Sequence, residues 1–167
     1  CAGKGYPQGF RAACAAIIRC TGLHAAIDKT AFESENAGIL GRMLGAGDLL
    51  GQMADRCYLE KLLFLFHEFE EGAVQGFKDE YDLMAKTMEF YEMTRKRLSG
   101  ELGGVHESMR PHFRARWGID RDVYAEVIGR HISHLKNNLT KHRGDYRDLF
   151  RRGGLVSRLK KMRGPAS

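Results

Sequence analysis

Proline is scarce in this sequence, at three in 167 residues, and no stretch shows the apolar and polar alternation of a half-buried strand. Those absences leave an all-α, single-domain helical bundle as the economical fold. Long apolar runs are missing too: none reaches the roughly 18 to 20 uncharged residues that a membrane span needs. No signal-peptide pattern opens the chain, so the expectation is a cytoplasmic protein with no membrane partner. The four cysteines, Cys1, Cys14, Cys20 and Cys57, show neither CxxC spacing nor disulfide-scaffold density, and buried free thiols are expected ahead of a metal site. Phosphate-binding GxxxxGKT or GxxxxGKS loops, a GxGxxG after a strand, HExxH and a nucleophile elbow are all absent, which leaves no strong catalytic constellation.

What the sequence has is helical periodicity throughout and positive charge at one end. A hydrophobic fraction of 43% and a charged fraction of 29% are ordinary for a soluble globular protein, and a chain of this length buries a core without staples. The net charge of +6 is uneven: Lys141 to Arg163 hold nine Lys or Arg against two Asp, which leaves the remainder close to neutral.

The densest apolar run is Ala37 to Glu71. Within it Ile39, Leu40, Met43, Leu44, Ala46, Leu49, Leu50 and Met53 recur at three- and four-residue steps, so a mostly buried central helix is predicted, with Ser34 as its N-cap. Asp48 interrupts that apolar pattern, with Gln52 one turn on and Asp55 two turns on, a polar strip along one face. A buried carboxylate needs a partner, because an unpaired charge in the interior costs several kcal/mol; Asp48 is therefore expected to be mostly buried against a metal, an arginine or a helix terminus.

Around this helix the chain divides into an irregular segment 1–9, a first half 10–72, C-terminal helices 79–142 and a basic helix or tail 143–167. Residues 1–9 hold three glycines and Pro7 and read as a piece of something longer. Phe10 to Thr21 is a predicted helix with Phe10, Ala13, Cys14, Ile17 and Ile18 on one side. Further helices are predicted over 58–71, from 79 or 80 to 102, as one or two turns over 106–117, and over 121–142 with Asp120 as cap. His131 and His134, three apart on the last of these, could face a metal, although a surface-facing pair is the commoner arrangement. His67, Glu68, Glu70 and Glu71 read as a solvated helix face. His112, Arg114, Arg116 and Trp117 suit phosphate contact or a capped turn that buries Trp117. In the tail Arg147, Arg151, Arg152, Arg158, Lys160 and Lys161 are candidates for polyanion binding, with solubility as the plainer role.

Two stretches together, AAIIRCTGLHAAI (Ala15 to Ile27) and MLGAGDLLGQMADRCYLEKL (Met43 to Leu62), resemble the second half of an HD-domain metal-dependent phosphohydrolase, the superfamily of the cyclic-nucleotide phosphodiesterases. In that family an apolar helix ending in a T-D-L turn precedes a helix that bears the last Asp of an H…HD…D metal set. Asp48 matches that last ligand, and Thr21, Leu23 and His24 match the turn, with Gly22 in place of its acid. The first His and the His-Asp doublet have no counterpart; the dipeptide does not occur anywhere in the chain. The resemblance implies Asp48 as a metal ligand, supported from behind by Gln52, Asp55, Thr21 and His24, and hydrolysis of a phosphate ester in a full-length form. Divalent metal (Mn, Mg or Fe) is expected only for a complete site and none or weakly here, since one carboxylate cannot replace an ion's hydration shell. A phosphate-ester small molecule and a second copy of the chain are the expected partners, and nucleic acid is not. The alternative is a non-enzymatic regulatory or interaction module with a basic tail.

Overall fold

The computed structural model describes residues 4–22, 25–141 and 146–150, and the described residues are helical with no strand. The chain is all-α. In order come α1 (Gln8–Arg19), α2 (Glu35–Met53), α3 (Tyr58–Glu71), α4 (Glu80–Ser99), α5 (Met109–Trp117), α6 (Val123–Lys141) and a single turn α7 (Tyr146–Leu149), with 3-10 turns at Ile27–Lys29 and Val105–Ser108. These fall into two compact units, Cys1–Gly51 with Met93–Tyr124 and Gln52–Glu92 with Ala125–Ser167, whose boundaries lie inside α2, α4 and α6.

In the first unit the packing rests on glycine. Ser34 caps α2 as its sequence suggests, its Oγ accepting from the Ala37 N–H. The helix then turns inward not its large residues but Ala37, Gly38, Gly41, Gly45, Ala46, Leu49 and Leu50. A Cβ on Gly45 would lie 2.5 Å from the Cys20 carbonyl oxygen, and one on Gly41 would lie 2.7 Å from Cys20 Sγ and 3.2 Å from the Phe32 ring. The turn that ends α1 therefore sits directly on the α2 backbone, an approach that only glycine permits. Arg97 of α4 secures that turn, its guanidinium buried and donating to the Gly22 carbonyl at 2.7 Å and to that of Cys20 at 3.4 Å. Carbonyls left over at the end of α1 thus find a charged donor.

Because small residues take the inner face, Ile39, Leu40, Met43 and Leu44 lie outside, at 42%, 54%, 50% and 43% exposure. This corrects the expected inward apolar stripe, of which Ala46, Leu49, Leu50 and Met53 are the part that is buried. Helix α1 departs similarly. None of its residues is buried, and Phe10 and Ile18 are exposed, while Cys20 just beyond it is 1% exposed. Trp117, buried in one of the two readings of its segment, is exposed on α5 with the Arg116 guanidinium over its ring. Asp120 does not cap α6; both its oxygens accept from Arg110, at 3.0 and 3.2 Å.

The second unit has a conventional core. Leu59, Leu62 and Leu63 of α3, Leu83 and Met84 of α4, and Ile128, Ile132, Leu135 and Leu139 of α6 are buried, joined by Tyr146 and Phe150 at the end of the described chain. Tyr81 Oη donates to the Leu139 carbonyl, and the Tyr81 and Tyr146 rings meet edge to face at 5.7 Å. Phe66 and Phe69 are half-buried near the end of α3.

Candidate functional site

Asp48 lies half-buried on α2, less enclosed than the apolar pattern around it suggested. The reason is the inversion just described: the face it borders is the exposed one. Gly47 beside it and Gly51 one turn on would each carry a Cβ into open space, so the helix surface at those two glycines is open. Gln52 is exposed. Asp55 does not extend the strip, because α2 ends at Met53. Asp55 instead opens α3, accepting from the Cys57 N–H at 2.7 Å and from Lys61. Its bond from Lys61, then that from Cys57, holds its carboxyl below the usual carboxylate range. That is a helix-start role, not support for a ligand on the preceding helix. Thr21 Oγ1 donates to the Ile18 carbonyl in the turn after α1, and His24 lies outside the described residues.

Among the described residues no group of three or more His, Cys, Asp or Glu is placed to hold a metal ion. The described donor set therefore does not fit the metal that the HD resemblance implies, and no step through a metal follows from it. His67 pairs with Glu70 at 3.2 Å on an exposed face, in keeping with a solvated surface. Of the tail residues, Arg147 is committed elsewhere: it holds the buried Glu80 through two bonds of 2.9 Å, a pairing that raises its own pKa. Arg151, Arg152, Arg158, Lys160 and Lys161 lie outside the described residues.

A second locus, not singled out as a site by the sequence, is a cleft of about 1060 Å³ in the second unit. It runs along α6 past Glu126, Arg130, His131, Ser133, His134 and Asn137, with Ala54 and Arg56 from the segment before α3 on its other wall. His131 is 4% exposed, its Nδ1 bonded to the Met53 carbonyl at 3.0 Å and its ring stacked on Tyr58 at 6.1 Å. Burial pushes the Tyr58 hydroxyl up to about 12, so the phenol stays neutral. With Nδ1 as the donor, His131 keeps Nε2 for the cleft that its ring lines. His134 bonds the Leu149 carbonyl through Nε2 at 3.1 Å. Each histidine of the pair is thus oriented by a backbone carbonyl, and the three-residue spacing gave no hint of either bond.

A protein-family model described as Npun_R2479-like matches residues 13–98. No curated protein and no solved structure matches the chain.

Proposed function

The chain belongs to the Npun_R2479-like family, and from the resemblance carried by Ala15 to Ile27 and Met43 to Leu62 we propose that it is a partial HD-type, phosphohydrolase-like module in which Asp48 is one ligand of a divalent-metal site whose other ligands this chain does not supply. The observation that carries the reading is the place of the carboxylate: Asp48 is half-buried on a helix where a Cβ on Gly47 or on Gly51 would meet open space, so a ligand can approach the backbone on the side next to it. The tight seat of the Cys20 carbonyl against Gly45, one turn before Asp48, adds rigidity to the carboxylate's helix. A metal bound at a complete site would supply an activated water and charge stabilisation to phosphoester hydrolysis. From this chain comes one carboxylate on a stiff helix, and by itself it is not a catalyst.

The test is Mn²⁺ or Mg²⁺ titration by calorimetry on the chain and on Asp48→Ala. Weak binding that disappears in the variant is the expected result. Binding indifferent to Asp48 would overturn the ligand assignment, and tight binding lost with Asp48 would mean a more complete site than one carboxylate.

A second reading, the non-enzymatic interaction module, draws on a specific feature as well. Ile39, Leu40, Met43 and Leu44 form an exposed apolar stripe on α2, of a kind that marks surfaces covered by another chain. Sedimentation of the chain as a function of concentration discriminates: self-association abolished by Leu40→Glu, with no metal affinity at Asp48, would favour it.

A further inference from the structure

We propose that the cleft along α6 is a binding site for a small phosphate-bearing molecule, recognised through its phosphate by Arg56, Arg130 and His131. The proposal is independent of Asp48, which belongs to the other unit. Arg56 and Arg130 are both exposed on the lining, and neither has a salt bridge among the described residues. Three other cations of this unit are paired: Lys61 with Asp55, Lys86 with Asp82, Arg147 with Glu80. Two guanidinium groups left uncommitted on one cleft are suited to an oxyanion, which a planar fork of N–H donors binds in bidentate fashion.

His131 adds what exposed arginines alone lack, a buried polar group of fixed direction. Its Nδ1 is held by the Met53 carbonyl and its ring by Tyr58, so Nε2 meets a ligand without a reorganisation cost. A neutral imidazole there accepts the P–OH of a monoanion, and a protonated one donates to the dianion; both forms of phosphate are served. Ser133 and Asn137, exposed on successive turns of the same helix, supply neutral donors. Gly129 next to Arg130 would carry a Cβ into open space, leaving room for the guanidinium and its ligand.

The alternatives fit less well. A divalent cation would be repelled by the two arginines, and among the described lining residues one acid, Glu126, stands against them. A polymer needs a groove that continues, whereas about 1060 Å³ is at the upper end for small-molecule pockets, roughly 300 to 1,000 Å³. Size and charge together select a compact organic phosphate.

The probe is inorganic phosphate, titrated calorimetrically into the whole chain at low ionic strength, with the His131 side-chain nitrogens followed by NMR. Saturable binding of one phosphate per chain is expected, with a shift of the His131 Nε2 resonance. Arg130→Gln and Arg56→Gln, both surface changes, should each weaken binding about tenfold, the effect of losing one charge-assisted contact. Asp48→Asn should leave it unchanged. Equal affinity in the arginine variants would put phosphate elsewhere on the chain and overturn the assignment, as would an unmoved His131 signal or no saturation at millimolar phosphate. Zn²⁺ binding lost on His134→Gln would overturn it in favour of a metal. If Asp48→Asn alone abolished phosphate binding, the Asp48 reading would survive and this one would not.

Discussion

Alanine at Gly45 is the sharpest probe of the α1 and α2 packing. Its Cβ would arrive 2.5 Å from the Cys20 carbonyl oxygen and 3.0 Å from Leu102 Cδ2. An ordinary carbon to carbonyl-oxygen contact is about 3.3 Å or more, so the turn after α1 or the helix itself must retreat by most of an ångström. The carbonyl is not free to yield, since Arg97 ties the Cys20 and Gly22 carbonyls to α4. Overpacking of this kind costs about 1 to 3 kcal/mol, and the helix-propensity gain of Gly to Ala returns about 1 kcal/mol. The net effect is a loss of about 0 to 2 kcal/mol. Gly47 and Gly51, on the same helix with nothing near their would-be Cβ atoms, receive the gain without the clash, and alanine there should stabilise by up to about 1 kcal/mol. Gly41→Ala should fall between, because what it meets, Cys20 Sγ and the Phe32 ring, are side chains that can turn. For a protein of this size each kcal/mol is roughly 2 to 4 °C in Tm, so urea midpoints at constant m-value and thermal midpoints both resolve the order. A Gly45→Ala protein as stable as Gly47→Ala would refute the close approach on which the first unit is built.

Other outcomes follow from the same geometry. Arg97→Met should cost about 1 to 3 kcal/mol by taking the charged donor from the Cys20 carbonyl and one of two donors from the Gly22 carbonyl, which keeps the Ala25 N–H; a change below about 0.5 kcal/mol in the urea midpoint would show that water serves them equally well. Asp55→Asn should cost about 0.5 to 1 kcal/mol at pH 7, discounted because water reaches the pair with Lys61. The Asp55 carboxyl titrates lower in the folded chain than unfolded, so its contribution is fully present above about pH 4 and is lost as pH falls through the folded value; wild type and variant should converge in stability on acidification, and a gap that widened would reverse the sign argued. Leu40→Glu, on the exposed stripe, should move stability by no more than about 0.5 kcal/mol while raising solubility, whereas Leu50→Ala in the core should cost about 2 to 5 kcal/mol.

Helix positions were largely legible because capping and periodicity are local. Ser34 announced the start of α2, and the pattern from Tyr58 to Glu71 gave α3 at its observed bounds. Which face of a helix turns inward is a different matter. On α2 two stripes compete, one large and apolar (Ile39, Leu40, Met43, Leu44) and one small (Ala37, Gly38, Gly41, Gly45), and hydrophobicity favours the first. The second wins because it admits the Cys20 carbonyl and the Phe32 ring to the backbone, a steric fact about neighbours outside the helix that its own periodicity does not carry. The G-x-x-G-x-x-x-G spacing from Gly38 to Gly45 was the available signal, readable as a close-packing face instead of a set of helix weaknesses.

The sites divide along the same line. Asp48 stood out because a charge inside an apolar run is visible in one dimension, yet its degree of burial depends on the face its helix presents, and so it emerged half-buried beside bare glycine backbone. Charge counting misled more at Arg147, which belongs by number to the basic tail and by geometry to Glu80. The α6 cleft was hidden for the opposite reason. Arg56 and His131 lie 75 residues apart, and the bond that orients His131 comes from the carbonyl of Met53, an atom with no side-chain identity to read. Backbone carbonyls orient both histidines of the pair, so any chemistry they perform is set by where two chain segments end, at Met53 and at Leu149, and a substitution that shifts either terminus should disturb the cleft without touching a residue on its lining.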